Sequence, residues 1–196
     1  MQTFELPIFP LNTVLFPGGV LPLKIFEQRY MTMAKDCLSQ KTHFGVCLIV
    51  EGAEVGAPAI PRLIGTTALI ADWDMPQLGV LQVTARGGQR FRILESDVDR
   101  QGLIRAKVSW IQPEAGKPVP EHLHGLLPLL RAIVTDMGTA RMPEPHAFED
   151  ATWVGYRYAE VLPIPLGARQ KLLELDDPVS RLEIIFEFLS QRRLVS

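Results

Sequence analysis

Short alternations of apolar and polar residues fill the first 111 positions of the chain. They begin with LPIFPLNTVLFPGGVLPLKIFEQRY (6–30), a stretch too apolar for a solvated tail and too rich in proline for a helix. Because proline lacks an N–H group, it is confined to strand ends, edges and turns. We therefore predict two edge strands joined by a loop, with a tight turn at Pro17, Gly18 and Gly19.

The pattern then changes to helical spacing and back again. Apolar residues recur every three or four positions over 26–39, which predicts one amphipathic helix. Further strands are predicted at 44–50, 63–71, 81–86, 90–93 and 103–111, with a chain-reversing turn at Gly87 and Gly88. A set of short strands with one helix closes most economically as a barrel or a folded sheet.

Helical spacing dominates the C-terminal part. QPEAGKPVP (112–120) has three prolines and little apolar content, so it is predicted to be a linker between residues 1–111 and residues 121–196. Helices are predicted from 123 to a glycine cap at Gly138, over 150–162, and in a short segment that ends near 174. The last helix is predicted to start at Asp177 as N-cap, with Pro178 at its first position.

Composition excludes several classes of function. The chain has 196 residues, of which 47% are hydrophobic, and 20 basic against 22 acidic residues leave a net charge of −2. No global field attracts nucleic acid or an anionic membrane. The two cysteines predict no disulfide framework, and no apolar run of about 18 residues is present. We expect a cytoplasmic protein with no membrane partner.

Catalytic and metal-binding patterns are missing from the sequence. It contains neither a G-x-x-x-x-G-K-[ST] phosphate loop nor a G-x-S-x-G nucleophile elbow, so we expect no enzyme activity. His122 and His124 would diverge on a helix by about 200° and would need His146 or an acid as a third ligand. We therefore predict no metal site and no cofactor.

Two groups of charged residues admit more than one interpretation. Asp72 and Asp74 flank Trp73 and are interpreted as solvated loop acids rather than a catalytic pair. Five basic residues at positions that alternate outwards could join into a stripe for RNA, or could form an ordinary face of mixed charge: Arg86, Arg90, Arg92, Arg105 and Lys107. Nucleic-acid grooves usually have aromatic residues on the same face as the basic ones, whereas Phe91 and Trp110 alternate to the opposite face. The sequence therefore favours an ordinary face of mixed charge.

Several stretches resemble the N-terminal domain of Lon, the ATP-dependent protease La. The resemblance lies in residues 6–30, FGVCLIV, IGTTALIADWDM, LQVTARGGQRFRILE, RAKVSWI and the final LPIPLGARQKLLELDDPVSRLEIIFEFL. It implies an α+β fold, a PUA-like β-barrel followed by a C-terminal helical bundle. It also implies a Lon N-terminal-like chain without the ATPase motor or the Ser–Lys peptidase. The receptor cereblon is similar in its corresponding domain.

The resemblance implies a non-catalytic module that binds hydrophobic or unfolded polypeptide segments. Such a module would serve as an adaptor in proteolysis or quality control, with a protease or chaperone as a further candidate partner. The candidate contact residues are Leu15 and Phe16 in the NTVLFPGG loop, together with Trp73 and Met75. Leu15 and Phe16 either pack inside as anchors or stay exposed as a contact for polypeptide. RNA binding through the basic stripe is the alternative function.

Overall fold

The computed structural model describes residues 3–113 and 115–195, which form two compact units on either side of residue 114. The β-rich unit contains β1 (Thr3–Leu11), β2 (Val20–Ile25), α1 (Gln28–Gln40), β3 (Phe44–Glu51), β4 (Ile60–Pro61), β5 (Ile64–Gln77), β6 (Val80–Val98) and β7 (Ile104–Trp110). The helical unit contains a 3₁₀ turn (Glu121–Leu123) and four helices: α2 (Leu126–Arg141), α3 (Ala151–Val161), α4 (Leu166–Glu174) and α5 (Pro178–Ser190).

One sheet, mostly antiparallel, organises the β-rich unit. Its strands lie in the order β1-β7-β6-β5-β3-β4, with β2 paired to β6. β1 also pairs with β3 in parallel, from Ile8 opposite Gly45 to Leu11 opposite Leu48. The pairing therefore runs from β1 through four neighbours and returns to β1. The predicted succession of strands followed by helices is found, whereas the PUA-like barrel stays a prediction.

The sheet buries apolar residues on both faces. On one side Ile8, Cys47 and Phe91 belong to a buried cluster formed by β1, β3, β6 and β7. On the other side Phe9 stacks on Tyr30 of α1 with ring centroids 4.0 Å apart, within a second cluster that β2 also joins. Successive residues of β1 thus enter different cores, as the two-residue period of a strand requires.

The glycine pair at 87 and 88 does not reverse the chain, contrary to the sequence-based prediction. β6 continues without interruption through both residues, and the pairing with β5 shifts register there. Gly87 donates its N–H to the Gly19 carbonyl at 2.9 Å, and its carbonyl accepts from the Gly18 N–H at 2.8 Å. A side chain at Gly87 would collide with the Phe16 carbonyl oxygen. These glycines therefore permit a close approach of the β1–β2 loop to a continuous strand.

Helix ends follow the local signals. Asp177 caps α5 by accepting from the Ser180 N–H at 2.8 Å, and Pro178 occupies the first turn as predicted. Gly138 adopts a φ of 70°, which interrupts the helical backbone near the end of α2. Lys117 and the Ser180 N–H hold the pKa of the Asp177 carboxyl at about 2 because both favour its ionised form.

A buried arginine organises the helical unit. Arg181 of α5 is fully buried, and its guanidinium donates to the carbonyls of Leu172 at 2.8 Å and Leu175 at 2.5 Å. It also lies over the Tyr156 ring at 4.2 Å. The carbonyls at the end of α4 are thereby satisfied by a side chain of another helix.

Part of the predicted linker is ordered by pairing with the helical unit. Pro118 forms a β-bridge with Asp150, and the Val119 N–H donates to the Glu149 carbonyl at 3.1 Å. Lys117 lies 2.5 Å from a carboxylate oxygen of Asp177. Among the described residues of 112–120, those before Lys117 have no such partners and are exposed. The domain boundaries of the sequence analysis stay a prediction.

We expect Phe16→Ala to destabilise the protein by about 3–5 kcal/mol, because it removes a fully buried aromatic side chain. Phe26 is 53% exposed and provides a matched control, for which we expect less than about 1 kcal/mol. Urea denaturation followed by circular dichroism measures both free energies of unfolding. Equal effects of the two substitutions would contradict the assignment of Phe16 as a core residue.

Candidate functional site

The structure buries two of the four candidate contact residues. Phe16 is fully buried. Leu15 is 4% exposed and belongs to the cluster that contains Phe9 and Tyr30. The sequence left open whether Leu15 and Phe16 are buried or exposed, and the structure shows that both are buried. Neither side chain is available to touch a polypeptide, because the β1–β2 loop folds against β6 at Gly87. The prediction of Leu15 and Phe16 as candidate contact residues is corrected accordingly.

The other two candidates lie on an exposed hairpin. Leu78 and Gly79 join β5 to β6. The end of this hairpin carries several apolar side chains. Trp73 is 55% exposed, Met75 41% and Leu78 93%. Leu78 carried no signal in the sequence beyond its place beside a glycine turn. We call Trp73, Met75 and Leu78 the hairpin surface.

The hairpin surface continues an apolar row across three strands. Leu23 of β2, Val83 of β6 and Trp73 of β5 are directly opposite one another in register, so their side chains share one face of the sheet. Val83 is buried and Leu23 is half-buried. Trp73 is thus the exposed end of a row that starts in the core.

A groove of about 360 Å³ lies on the same face of the sheet. Leu21, Leu23 and Ile25 of β2 line it, together with the exposed side chains of Phe26 and Val55. Glu27 and Glu54 add carboxylates to its wall. Glu27 also pairs with the buried Arg29 at 3.0 Å. The groove is therefore apolar along β2 and acidic where it meets the start of α1.

The opposite face of the hairpin has two aspartates on β5, with Lys24 of β2 on the same face opposite Gln82. The Asp72 carboxylate accepts from the Trp73 N–H at 2.9 Å, and the Asp74 carboxylate accepts from the Met75 N–H at 2.8 Å. Asp72 is opposite Thr84 and Asp74 is opposite Gln82, both polar. Within residues 3–113 and 115–195, neither aspartate has an ion-pair partner. Both aspartates are exposed as expected, but they lie inside β5 and not in the loop that the sequence analysis predicted for them, because the strand extends to Gln77.

The five basic candidates for RNA contact do not form a continuous stripe. Arg90 is only 3% exposed, contrary to its predicted outward position, because the register shift at 87–89 interrupts the alternation of β6. Lys107 lies between Glu5 and Glu95 on the neighbouring strands. Arg86 and Arg92 are exposed, but six positions of β6 separate them. The face therefore has mixed charge.

Arg105 is engaged with an acid of its own unit. Its guanidinium lies 3.4 Å from Asp99, and Asp97 is opposite it on β6. Desolvation opposes ionisation of Asp99, but the N–H groups of Leu103 and Gln101 and the Arg105 guanidinium outweigh it and hold the pKa of that carboxyl below its usual range. The carboxylates of Asp97 and Asp99 therefore offset the positive charge that Arg105 would offer to a phosphate.

No metal-binding cluster is found in the part of the chain that the structure describes. There, no three or more histidine, cysteine, aspartate or glutamate side chains come together as ligands. The His124 ring bonds to the Val119 carbonyl at 3.0 Å, and the His146 ring to the Met142 carbonyl at 2.8 Å. Burial raises the pKa of the Cys37 and Cys47 thiols, which disfavours the nucleophilic thiolate.

The helical unit has an apolar groove that no residue pattern in the sequence predicts. It has a volume of about 510 Å³ and lies between α4 and α5, with Leu172, Ile184 and Phe188 in its walls. Ile184 is 48% exposed. Lys171 and Glu174 stand at its border. The groove forms because α5 presents apolar residues on two sides, of which only one packs inside.

None of the described helices is both long and apolar enough to cross a membrane.

Residues 5–191 match the family described as the ATP-dependent protease La (LON) substrate-binding domain. Lon protease 2 of Myxococcus xanthus is 28% identical over 197 residues, which cover 96% of this chain and 24% of that protein. Protein cereblon of Danio rerio is 30% identical over 120 residues, 59% of this chain and 27% of cereblon. The chain thus spans about a quarter of the length of these curated relatives.

Two solved structures share the fold. The Lon N-terminal domain protein from Xanthomonas campestris superposes with a TM-score of 0.79 at 36% identity, covering 94% of this chain and 98% of that one. The N-terminal domain of the Mycobacterium avium complex Lon protease gives 0.66 at 16% identity, with 95% and 98% covered. The chain belongs to the family of Lon substrate-binding domains.

Proposed function

We propose that this chain is a non-catalytic module that binds exposed hydrophobic or unfolded segments of other proteins. Membership of a substrate-binding domain family supports a protein-binding role. The observation that carries the finer proposal is the hairpin surface, where Trp73, Met75 and Leu78 expose large apolar side chains together. Large apolar groups clustered at a surface are typical of sites for protein partners.

The chemistry of the site favours unfolded polypeptide over a small ligand. The side chains of the hairpin surface are exposed, and the groove on the same face is lined by apolar residues of β2, with the carboxylates of Glu27 and Glu54 near the start of α1. An extended segment can place apolar side chains on Trp73 and Leu23 in succession. Tryptophan supplies much contact area with few rotatable bonds, so it loses little entropy on binding.

The wider role that we propose is that of an adaptor. The similarity to cereblon over 120 residues supports this role. In this role the hairpin surface holds a client segment while a protease or chaperone acts on it. The mixed charge around Arg105 and Lys107 disfavours the RNA-binding alternative, which needs a continuous basic surface.

We also propose that the β-rich unit is a PUA-like barrel and that the helical unit is a bundle. The return of the strand pairing from β3 to β1 supports the first assignment. Packing of α3 against both α4 and α5 supports the second.

We expect the double substitution Trp73→Ser and Met75→Ser to weaken the capture of a reduced and alkylated, permanently unfolded protein by about tenfold or more. Loss of this contact area corresponds to roughly 1.4 kcal/mol or more of binding free energy. Fluorescence anisotropy of the labelled client measures the affinity. Circular dichroism checks that the fold survives, as expected for exposed side chains.

The matched control is Leu63→Ser with Leu94→Ser, which removes two exposed leucines from the other end of β5 and β6. We expect it to leave the affinity unchanged. A loss of affinity in Ile184→Ser alone would move the binding surface to the helical groove. The proposal would be contradicted if the affinity for the unfolded protein fell steeply with rising salt and in Arg92→Ala. Such a result would favour electrostatic binding through the basic residues, as in the RNA-binding alternative.

We expect the purified chain to hydrolyse neither ATP nor casein, because the sequence has no phosphate loop and no nucleophile elbow. Phosphate release and fluorescent-casein cleavage measure the two activities. An activity that disappears in a site-directed variant of this chain would contradict a non-catalytic role, whereas one that persists in every variant belongs to a contaminant.

We expect limited elastase digestion to cut first within residues 112–116 or within the 52–58 loop. The described residues of both segments lie outside helices and strands, and all of them are exposed except the half-buried Glu54. Mass spectrometry of the first fragments identifies the sites. First cleavage inside β6 instead would show that the hairpin strands open more readily than the connecting segments.

A further inference from the structure

β5 has a free edge along its second half. β3 pairs with β5 only at residues 66–68, while β6 occupies the other edge as far as Gln77. In the described ranges, no strand pairs with the outer edge of residues 69–77. The side chains from Ala71 to Gln77 are exposed throughout. A strand edge with open N–H and C=O groups is a template for another strand.

We propose that this edge binds an extended segment of a client polypeptide as an added β-strand, and that it selects segments in which basic and apolar residues alternate. The proposal rests on the proposed function and specifies both the geometry of binding and the class of segment. It commits to a client strand rather than a second copy of this chain.

The backbone donors of the edge are held by side chains. The N–H groups of Trp73 and Met75 are two residues apart, the spacing at which an edge strand directs successive donors away from its sheet. Each is bonded by the carboxylate of the preceding aspartate, at 2.9 and 2.8 Å. Carbonyl groups of an added strand can replace these carboxylates. Asp72 and Asp74 are then released to contact the side chains of the incoming strand.

The two faces of the edge differ in chemistry, and this difference provides the selection. Trp73 lies on the apolar face with Val83, and Asp72 and Asp74 lie on the polar face with Thr84 and Gln82. Lys24 shares the polar face but lies on β2, on the far side of β6 from the edge. Directly opposed side chains on paired strands are about 4.5–5.5 Å apart. A client strand therefore places one alternate set of residues beside Trp73 and Met75 and the other beside two carboxylates. Lysine or arginine complements the second set.

The same carboxylates disfavour pairing between two copies of this chain. An antiparallel pair centred on residue 73 places Asp72 opposite Asp74 of the other copy, and a pair centred on 72 or 74 places an aspartate opposite itself. Like charges directly opposite one another destabilise a sheet. Charge complementarity thus argues for a basic client and against edge-to-edge self-association.

The test uses fluorescein-labelled nine-residue peptides that alternate lysine and isoleucine, with anisotropy as the readout. We expect a glutamate–isoleucine peptide to bind at least tenfold more weakly. N-methylation of one alternate set of amides should reduce the affinity at least tenfold, whereas methylation of the other set should not, because only one set faces the edge. Equal effects of the two methylated sets would overturn strand addition.

Two variants separate the charge from the apolar contact. Asp72→Asn with Asp74→Asn should remove the preference for lysine over glutamate, because it removes both carboxylate charges. Trp73→Ser should weaken both peptides equally. A lysine preference that survives the double asparagine variant would overturn the charge selection.

The outcomes distinguish this inference from the proposed function. Capture of unfolded protein that depends on Trp73, with no contrast between the methylated peptides, would retain the proposed function and remove strand addition. Failure of every peptide and of the unfolded protein to bind would remove both. Concentration-dependent dimerisation that Trp73→Ser abolishes would assign the edge to a second copy and overturn the inference.

Discussion

The β-rich unit depends on the close approach of the β1–β2 loop to Gly87. β6 pairs with β2, β5 and β7, so it is the strand on which most of the sheet is built. The loop is held to β6 by two hydrogen bonds at Gly87, and only a residue without a side chain leaves room for the Phe16 carbonyl there. Phe16 is buried by the same contact. The loop is thus a structural element, and the exposed apolar surface forms elsewhere.

That surface forms where β5 continues past its pairing with β3. Val83 belongs to the buried cluster that residues of α1 and β1 share, whereas Trp73, directly opposite it on β5, is 55% exposed. Burial on this face therefore decreases across the strands, from β6 to β5. An apolar residue placed there cannot contribute fully to the core, which makes it available for a partner at little cost to stability.

Charge on this molecule acts locally. Each basic residue of β7 meets an acid on a neighbouring strand, so the region offers no net field. The acids of the hairpin differ because they bond to backbone donors instead of cations. The two carboxylates therefore leave negative charge beside the apolar row that ends at Trp73. The charge and the apolar row together suggest that the bound polypeptides carry both basic and apolar residues.

Local rules suffice for much of this chain. The alternation of β2, the proline and aspartate at the start of α5, and the glycine at 138 each act over a few residues, so the sequence by itself determined those elements and their order. The burial of Phe16, the inward turn of Arg90 and the continuity of β6 were decided only by tertiary structure. Each depends on which part of the backbone, distant in sequence, lies beside the strand. A pattern of a few residues does not specify that neighbour. The exposure of Trp73 belongs to the same class, since an apolar side chain at a strand position is buried or open according to the neighbours that the fold brings to it.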